Sequence, residues 1–263
     1  MPRTAVLLAG RSLLLQVMHP VVGAAVADHS DFRADPWGRF ERTVASLQRQ
    51  LFGGERSVAE AHRLRALHRT ITGTGFDGTR YSALDRGAYA WVHLSNFDTF
   101  LCFSETMGTP LTPAERARAY AEWRQLGRVL GIAEAAMPGD LAAFARYVER
   151  MVSDVLVDNP TARDVLAALE LHDVAPPPWA HVPAPLWKAA RPLGRSVLRD
   201  CTLGTLPPAA RAALGLRWSA LDRQRFLALA LLVRAGSAAV PDRVLQYPEG
   251  RRAQLAARRA STG

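Results

Sequence analysis

Only two cysteines occur in the 263 residues, Cys102 and Cys201, far apart and in apolar surroundings. That excludes a disulfide framework and a cysteine-based zinc site, and it predicts two buried thiols of the kind a reducing, cytoplasmic compartment allows. Lysine is nearly missing as well: Lys188 stands alone among 33 basic residues. The net charge of +9 suits an anionic partner. Yet the arginines are scattered, with one dense run at Arg251, Arg252, Arg258 and Arg259, and no helix-turn-helix, finger or RNP-type motif accompanies them. Nucleic acid is therefore not an expected partner. Long apolar runs are absent too. The stretch from Thr4 to Val17 is broken by Gly10, Arg11, Ser12 and Gln16 and has no small-residue cleavage site behind it. It reads as a buried helix, not as an integral membrane segment or a signal peptide.

Sheet patterning is equally scarce. No region sustains apolar–polar alternation, so nothing beyond a small hairpin near 73–83 is expected. Several chemistries drop out with their motifs. There is no Gly-x-Ser-x-Gly elbow, no glycine-rich phosphate loop and no dinucleotide fingerprint. No His-x-x-x-His pair exists, nor the paired Glu-x-x-His motifs of a di-iron bundle.

What the sequence has in quantity is Ala and Leu at helical spacing, which predicts an all-α fold. Residues 4–27 read as one or two apolar helices broken at His19-Pro20. Pro36 opens an amphipathic helix carrying Phe40, Val44, Leu47, Leu51 and Phe52, which Gly53-Gly54 stops. A helix from about Ser57 to Ile71 follows, with Ser57 and Glu60 spaced as a capping box and Leu64, Leu67, His68 and Ile71 on one face. A long central helix spans Asp85 to Gly108, and Thr112-Pro113-Ala114-Glu115 marks the next start. Further helices are expected over 140–157, 161–171, 185–203, 207–214 and 219–238, with a tail from about Gln246 that frays. Pro176, Pro177, Pro178, Pro183 and Pro185 make a stiff crossover at about 175–185 within one domain, 1–263.

Chemistry concentrates in the first hundred residues. His19, His29, His68 and His93 each stand in a distinctive context, and histidine is the usual ligand for haem iron. A haem site asks for one axial histidine on a helix, apolar walls and cations for the propionates. His68, among Leu64, Leu67 and Ile71, is the axial candidate; the plain alternative is a core histidine bonded to a carbonyl. Arg39, Arg42 and Thr43 share a helix, and the two arginines share a face. They form either a propionate or dioxygen clamp or a solvated basic face. His29, Ser30 and Asp31 are either a pocket wall or a helix cap.

These segments together resemble a known family. Leu13-Leu14-Leu15-Gln16-Val17-Met18-His19-Pro20, Asp28-His29-Ser30 and Asp35-Pro36-Trp37-Gly38-Arg39 with Arg42-Thr43 resemble the MpaB-like oxygenases and the related latex-clearing proteins. So do Phe52-Gly53-Gly54, Leu67-His68, Tyr81, Tyr89-Ala90-Trp91-Val92-His93, Tyr120 with Glu122-Trp123, Leu126-Gly127, and Met151 with Asp154. The resemblance implies a single all-helical domain, b-type haem, and dioxygen as co-substrate. It also implies oxidative cleavage or oxygenation of a small apolar alkene of isoprenoid type. In it His68 matches the proximal iron ligand, and Arg39 and Thr43 match polar haem-pocket positions. Arg42 and Thr43 are expected to polarise bound dioxygen, and His19, His29 and His93 are further cofactor-contact candidates. One departure is informative. Latex-clearing proteins carry a lysine where Arg42 stands, and a guanidinium, permanently protonated, does not replace it as a metal ligand. A haem peroxidase or sensor, and a non-enzymatic lipid or terpenoid binder, are the competing readings. Apolar surface on the C-terminal helices makes a homodimer an expectation.

Overall fold

The computed structural model describes residues 3–172, 174–178 and 181–260. A 3-10 segment, Arg3–Leu8, leads into α1 (Ala9–Val17) and α2 (Pro20–His29). Then come α3 (Pro36–Phe52), α4 (Glu55–Arg69), and a hairpin of β1 (Thr72–Thr74) and β2 (Arg80–Ser82). The hairpin is antiparallel, with Gly73 opposite Tyr81. The helical series resumes with α5 (Arg86–Thr106), α6 (Pro113–Val129), α7 (Leu141–Arg150), a π-turn at Met151–Val155 and α8 (Pro160–Leu169). It ends with α9 (Ala184–Thr205), α10 (Pro208–Ala213), α11 (Ala220–Ala239), α12 (Asp242–Leu245) and α13 (Pro248–Ala260). The all-helical expectation holds, and each expected helix is present within a few residues.

Three boundaries differ from the sequence reading. α9 begins at Ala184, so Pro185 sits in its first turn, where a missing N–H costs nothing, and not in the crossover. The tail does not fray at Gln246: α13 packs on α3, with Gly250 close enough to Phe52 for van der Waals contact. Ser57 and Glu60 do not cap α4, which starts two residues earlier behind Gly54. The near end of the proline crossover is pinned by two tryptophans. Trp37 Nε1 donates to the Ala175 carbonyl at 2.7 Å and Trp187 Nε1 to Val174 at 2.8 Å.

The architecture turns on the break between α1 and α2. Pro20 has no N–H, so the Gln16 carbonyl cannot complete its helical bond, and the chain bends by 107°. His19 N–H bonds Gln16 at 3.2 Å instead of reaching Leu15. The carbonyls freed by this rearrangement lie in the core and need partners. Trp91 Nε1, on α5, donates to the Leu15 carbonyl at 2.8 Å. Asn159 Nδ2 donates to Val17 at 2.8 Å, and Val157 N–H to Met18 at 3.0 Å. The π-turn delivers these last two donors, because its Leu156 N–H reaches back five residues to Met151 before the chain straightens. Asn159 does double duty: its Oδ1 accepts the Ala162 N–H at 3.0 Å and caps α8.

α1 is thereby the hub, touching the 3-10 segment, α2, α5, α8 and α9. Arg11, which interrupts its apolar face in sequence, is buried and bonded on three sides. It donates to the Thr205 carbonyl at 2.8 Å, Thr99 Oγ1 at 3.0 Å and Asp98 Oδ2 at 2.6 Å, tying α1 to α5 and α9. Gly10 permits the close approach: a Cβ there would collide with Thr202 Oγ1 of α9. Both cysteines are free thiols, Cys201 buried and Cys102 half-buried, as the sequence predicts. Among the described residues no single helix is long and apolar enough to cross a membrane. Only the bent pair Arg3–Val17 with Pro20–His29 reaches that length and composition, and its Leu8, Leu14, Leu15, Val17 and Met18 are buried in the core.

Asn159→Ala removes a helix cap and orphans a buried carbonyl, and is expected to cost about 3 kcal/mol in urea unfolding. Asn159→Asp keeps the cap acceptor but turns an oxygen onto the Val17 carbonyl, so it too should destabilise. An Asp variant as stable as the parent would show that Asn159 serves only as a cap.

Candidate functional site

The residues singled out by sequence gather around the α3–α4 hairpin. Asp35 caps α3, its Oδ1 accepting from Gly38 N–H at 2.9 Å, with Pro36 in the first turn. The N-cap of α3 is thus Asp35, while Ser30 is the C-cap of α2, its N–H on the Val26 carbonyl at 3.1 Å. Gly54, at φ +58°, makes the reversal into α4. The two helices are locked by one buried carboxylate. Glu60, 4% exposed, accepts from Ser46 Oγ at 2.6 Å, from Arg49 Nε at 3.0 Å, and from Arg63 through Nε at 2.9 Å and a terminal nitrogen at 2.6 Å. The Arg63 bond is the leading cause that holds its carboxyl down at about 2. Ser57 Oγ, free of any capping duty, donates to the Arg49 carbonyl at 2.9 Å.

His68 sits in the last turn of α4, half-buried. Its Nδ1 faces the Leu64 carbonyl at 2.7 Å, one helical turn back. A carbonyl only accepts, so Nδ1 carries the hydrogen and Nε2 carries the lone pair. Among the described residues Nε2 has no hydrogen-bond partner. The ring meets Tyr89 of α5 edge-on, centroids 5.5 Å apart. Burial lowers its pKa, the Leu64 bond opposes this, and the charges of Arg39 and Arg63 lower it further, so the imidazole is neutral at pH 7. The two alternatives weighed for His68 are not exclusive: a ring bonded to its own helix through Nδ1 is oriented to ligate through Nε2. Leu67, expected on the same inner face, is 49% exposed.

Arg39 faces this region from α3. Its Nε donates to Ser30 Oγ at 3.2 Å and one terminal nitrogen to Thr43 Oγ1 at 3.0 Å. Thr43 donates in turn to the Arg39 carbonyl at 2.9 Å. The second terminal nitrogen of Arg39 has no acceptor among the described residues. Desolvation lowers the Arg39 pKa, with Asp31 opposing and Arg42 assisting. Arg42 is elsewhere. It is open to solvent and bridges Asp31 Oδ2 at 2.6 Å and Asp35 Oδ2 at 3.2 Å, which raises its pKa. The structure therefore brings together Ser30, Arg39 and Thr43, acting on His68, and turns Arg42 to the loop before α3.

The other three histidines have separate settings. His29, exposed at the end of α2, places Nε2 3.2 Å from the Thr72 carbonyl and joins α2 to the hairpin, beside the 2.6 Å bond from Tyr81 to Asp28. His19 is buried at the α1–α2 bend with Nδ1 unpartnered; burial lowers its pKa while Asp85 raises it. His93 lies in the α5–α6 core. Its Nε2 is 3.0 Å from the Trp123 carbonyl, the rings stack, and Trp123 Nε1 returns a bond to the His93 carbonyl at 3.1 Å. Burial holds its pKa down at about 4. Gly127 makes room for that pair, since a Cβ there would run into Met137 and His93 Nε2. Two partners were not foreseen from sequence. Glu60 was read as a capping residue, although Arg63 three residues on was a signal for an ion pair. Tyr89 comes from a distant helix, and no local pattern reports it.

Residues 1–235 match the family described as ER-bound oxygenase mpaB/B′/Rubber oxygenase, catalytic domain. The chain belongs to that family. Two mycobacterial proteins are each 26% identical over 242 residues, covering 90% of this chain and 90% of their own length. They are Uncharacterized protein Mb2261 of Mycobacterium bovis and Uncharacterized protein Rv2237 of Mycobacterium tuberculosis. No solved structure matches the chain.

For an oxygenase of this family the donor set is informative. Among the described residues no three His, Cys, Asp or Glu side chains converge on one point. A cofactor held through one imidazole is compatible with the side chains present. His68 meets that requirement in tautomer and charge. Arg39, exposed and with a donor to spare, suits an acidic edge. Phe40, Val44, Leu47, Leu51 and Phe52 of α3 are all only half-buried, which leaves apolar surface for a flat hydrophobic group to cover.

The Glu60 clamp predicts an acid-dependent loss of stability. A carboxyl held near 2 against an ordinary 4.5 stabilises the fold above pH 4.5, and this contribution fades as pH falls toward 2. Because Arg49 and Arg63 are half exposed, about 2 kcal/mol is expected at pH 7. Unfolding measured for the parent and Glu60→Gln should show that gap at pH 7 and less than half of it at pH 3. A gap independent of pH would show that Glu60 acts through packing alone.

Proposed function

We propose that this oxygenase-family protein is haem-dependent, with His68 as the residue that would hold the haem iron and a small apolar alkene of isoprenoid type as substrate. The observation that carries the reading is the neutral His68 ring, fixed through Nδ1 by Leu64 and free at Nε2, with the Arg39 charge acting on it. Haem b, when bound, would supply the dioxygen activation. The protein's own contributions follow from the geometry. The Leu64 carbonyl keeps the proton on Nδ1, so the lone pair stays at Nε2 across neutral pH. Tyr89 holds the ring from its edge and limits its rotation.

Arg39 serves the acidic edge of the cofactor or the polarised substrate. Ser30 and Thr43 fix two sides of its guanidinium and leave the third to the ligand. Thr43 acts through Arg39, because its own proton is committed to the Arg39 carbonyl. Arg42 is a positioning residue in this reading: it holds Asp31 and Asp35, and with them the start of α3. The half-buried apolar positions of α3 exclude water and select an apolar substrate.

The test is the absorption spectrum of protein expressed with haem supplied, before and after dithionite. A Soret band that shifts on reduction and disappears in His68→Ala is expected. Arg39→Gln should keep the band and weaken haem affinity roughly tenfold, as loss of one charge-assisted bond implies. Arg42→Gln should leave the band unchanged. A flat spectrum unaltered by haemin, or full haem retention in His68→Ala, would overturn the reading. Turnover of an isoprenoid alkene under air then separates an oxygenase from a haem sensor or peroxidase.

A further inference from the structure

A cavity lies between α4, the start of α5 and the turn after α6. Its volume is about 160 Å³, and it is lined by Arg65, Leu84, Arg86, Tyr89, Gly131, Ile132 and Ala133. His68 does not line it. Its charge is one-sided. Arg65 places a terminal nitrogen 2.9 Å from the Gly131 carbonyl at the cavity wall, and Gly131 at φ +76° leaves the space along which that side chain lies. The rest of the Arg65 guanidinium has no acceptor among the described residues, and Arg86 has neither hydrogen bond nor ion pair there. The nearby carboxylates are committed. Glu134 pairs with Arg124 and Arg128. Asp85 caps α5 by accepting from Ala88 N–H at 2.9 Å.

Two exposed arginines line one cavity and neither has a carboxylate partner among the described residues, so an anion there finds two guanidinium donors. Tyr89 adds a hydroxyl whose one hydrogen bond among the described residues is a long 3.5 Å bond to the Leu130 carbonyl; burial raises its pKa and the Arg65 charge opposes this. The remaining walls are apolar: Ile132 is buried, and Leu84 and Ala133 close the sides. A volume below the roughly 300–1,000 Å³ of drug-sized pockets fixes the scale of the occupant. Phosphate or sulfate would satisfy the arginines but leave the apolar wall bare.

We propose that the Arg65–Arg86–Tyr89 cavity binds a short-chain carboxylate, its head between the two guanidinium groups and the Tyr89 hydroxyl and its alkyl end against Ile132 and Leu84. The site stands apart from the haem reading and needs no cofactor. It does share Tyr89 with His68, whose ring meets Tyr89 edge-on.

Butyrate and its neutral isostere butyramide are the probes, titrated into the full chain by calorimetry at constant ionic strength, with inorganic phosphate as a third arm. Butyrate is expected to bind, with butyramide and phosphate at least tenfold weaker. Arg65→Gln and Arg86→Gln should each lower butyrate affinity roughly tenfold. Both positions are exposed, and circular dichroism establishes that the variants are folded. Ala133→Met, which fills the cavity and keeps both arginines, should abolish binding. Equal binding of butyrate and butyramide, tighter binding of phosphate, or unaltered butyrate affinity in Ala133→Met would each overturn the assignment.

Discussion

Everything in this fold is arranged around an amide that cannot donate. Pro20 forces α1 to end inside the protein, where its last carbonyls are out of reach of water. Leaving them bare would cost of the order of 1–3 kcal/mol each, a large part of a domain's net stability. Three donors from three places take them up: the Trp91 indole, the Asn159 amide and the Val157 backbone. The long central helix, the π-turn and the start of α8 are thereby fixed relative to α1. Past the bend, the residues that follow α2, Ser30 and Asp31, meet the arginines of α3.

The second constraint is the use of charge. The chain spends its arginines as multidentate ties more than as surface charges. Arg11 joins three helices, Arg49 and Arg63 converge on Glu60, and Arg42 gathers two aspartates. A guanidinium can satisfy several acceptors without shedding its proton, which a lysine ammonium does less well in a planar cluster. Arg39 keeps a donor unused next to a neutral histidine, and Arg65 and Arg86 border a cavity without a carboxylate.

The histidines show how one residue type is sorted by surroundings. His68 and His93 are both neutral, both next to an aromatic ring and both bonded to a backbone carbonyl. The difference is which nitrogen is engaged. His93 commits Nε2 to Trp123 and is returned a bond by that indole, a closed pair inside the core. His68 commits Nδ1 to its own helix and leaves Nε2 facing outward from it. The two rings thus differ by the nitrogen that their backbone neighbour takes.

The all-helical class, most helix boundaries, the hairpin and the Thr112 capping box were legible in the sequence alone, because they follow from periodicity, proline and local capping within a few residues. The site was legible in part. His68, Arg39 and Thr43 were found as residue types on adjacent helices, and the family resemblance agreed with them. Which of them meet was not legible. That Arg42 turns to Asp31 and Asp35, that Glu60 clamps α3 to α4 instead of capping a helix, and that Tyr89 bridges His68 to a cavity depend on contacts between segments far apart in the chain. Sequence determined which groups were available and which face of a helix they occupied. The tertiary structure decided their partners, since burial and hydrogen-bond geometry set the charge and tautomer of each group only after the helices have packed.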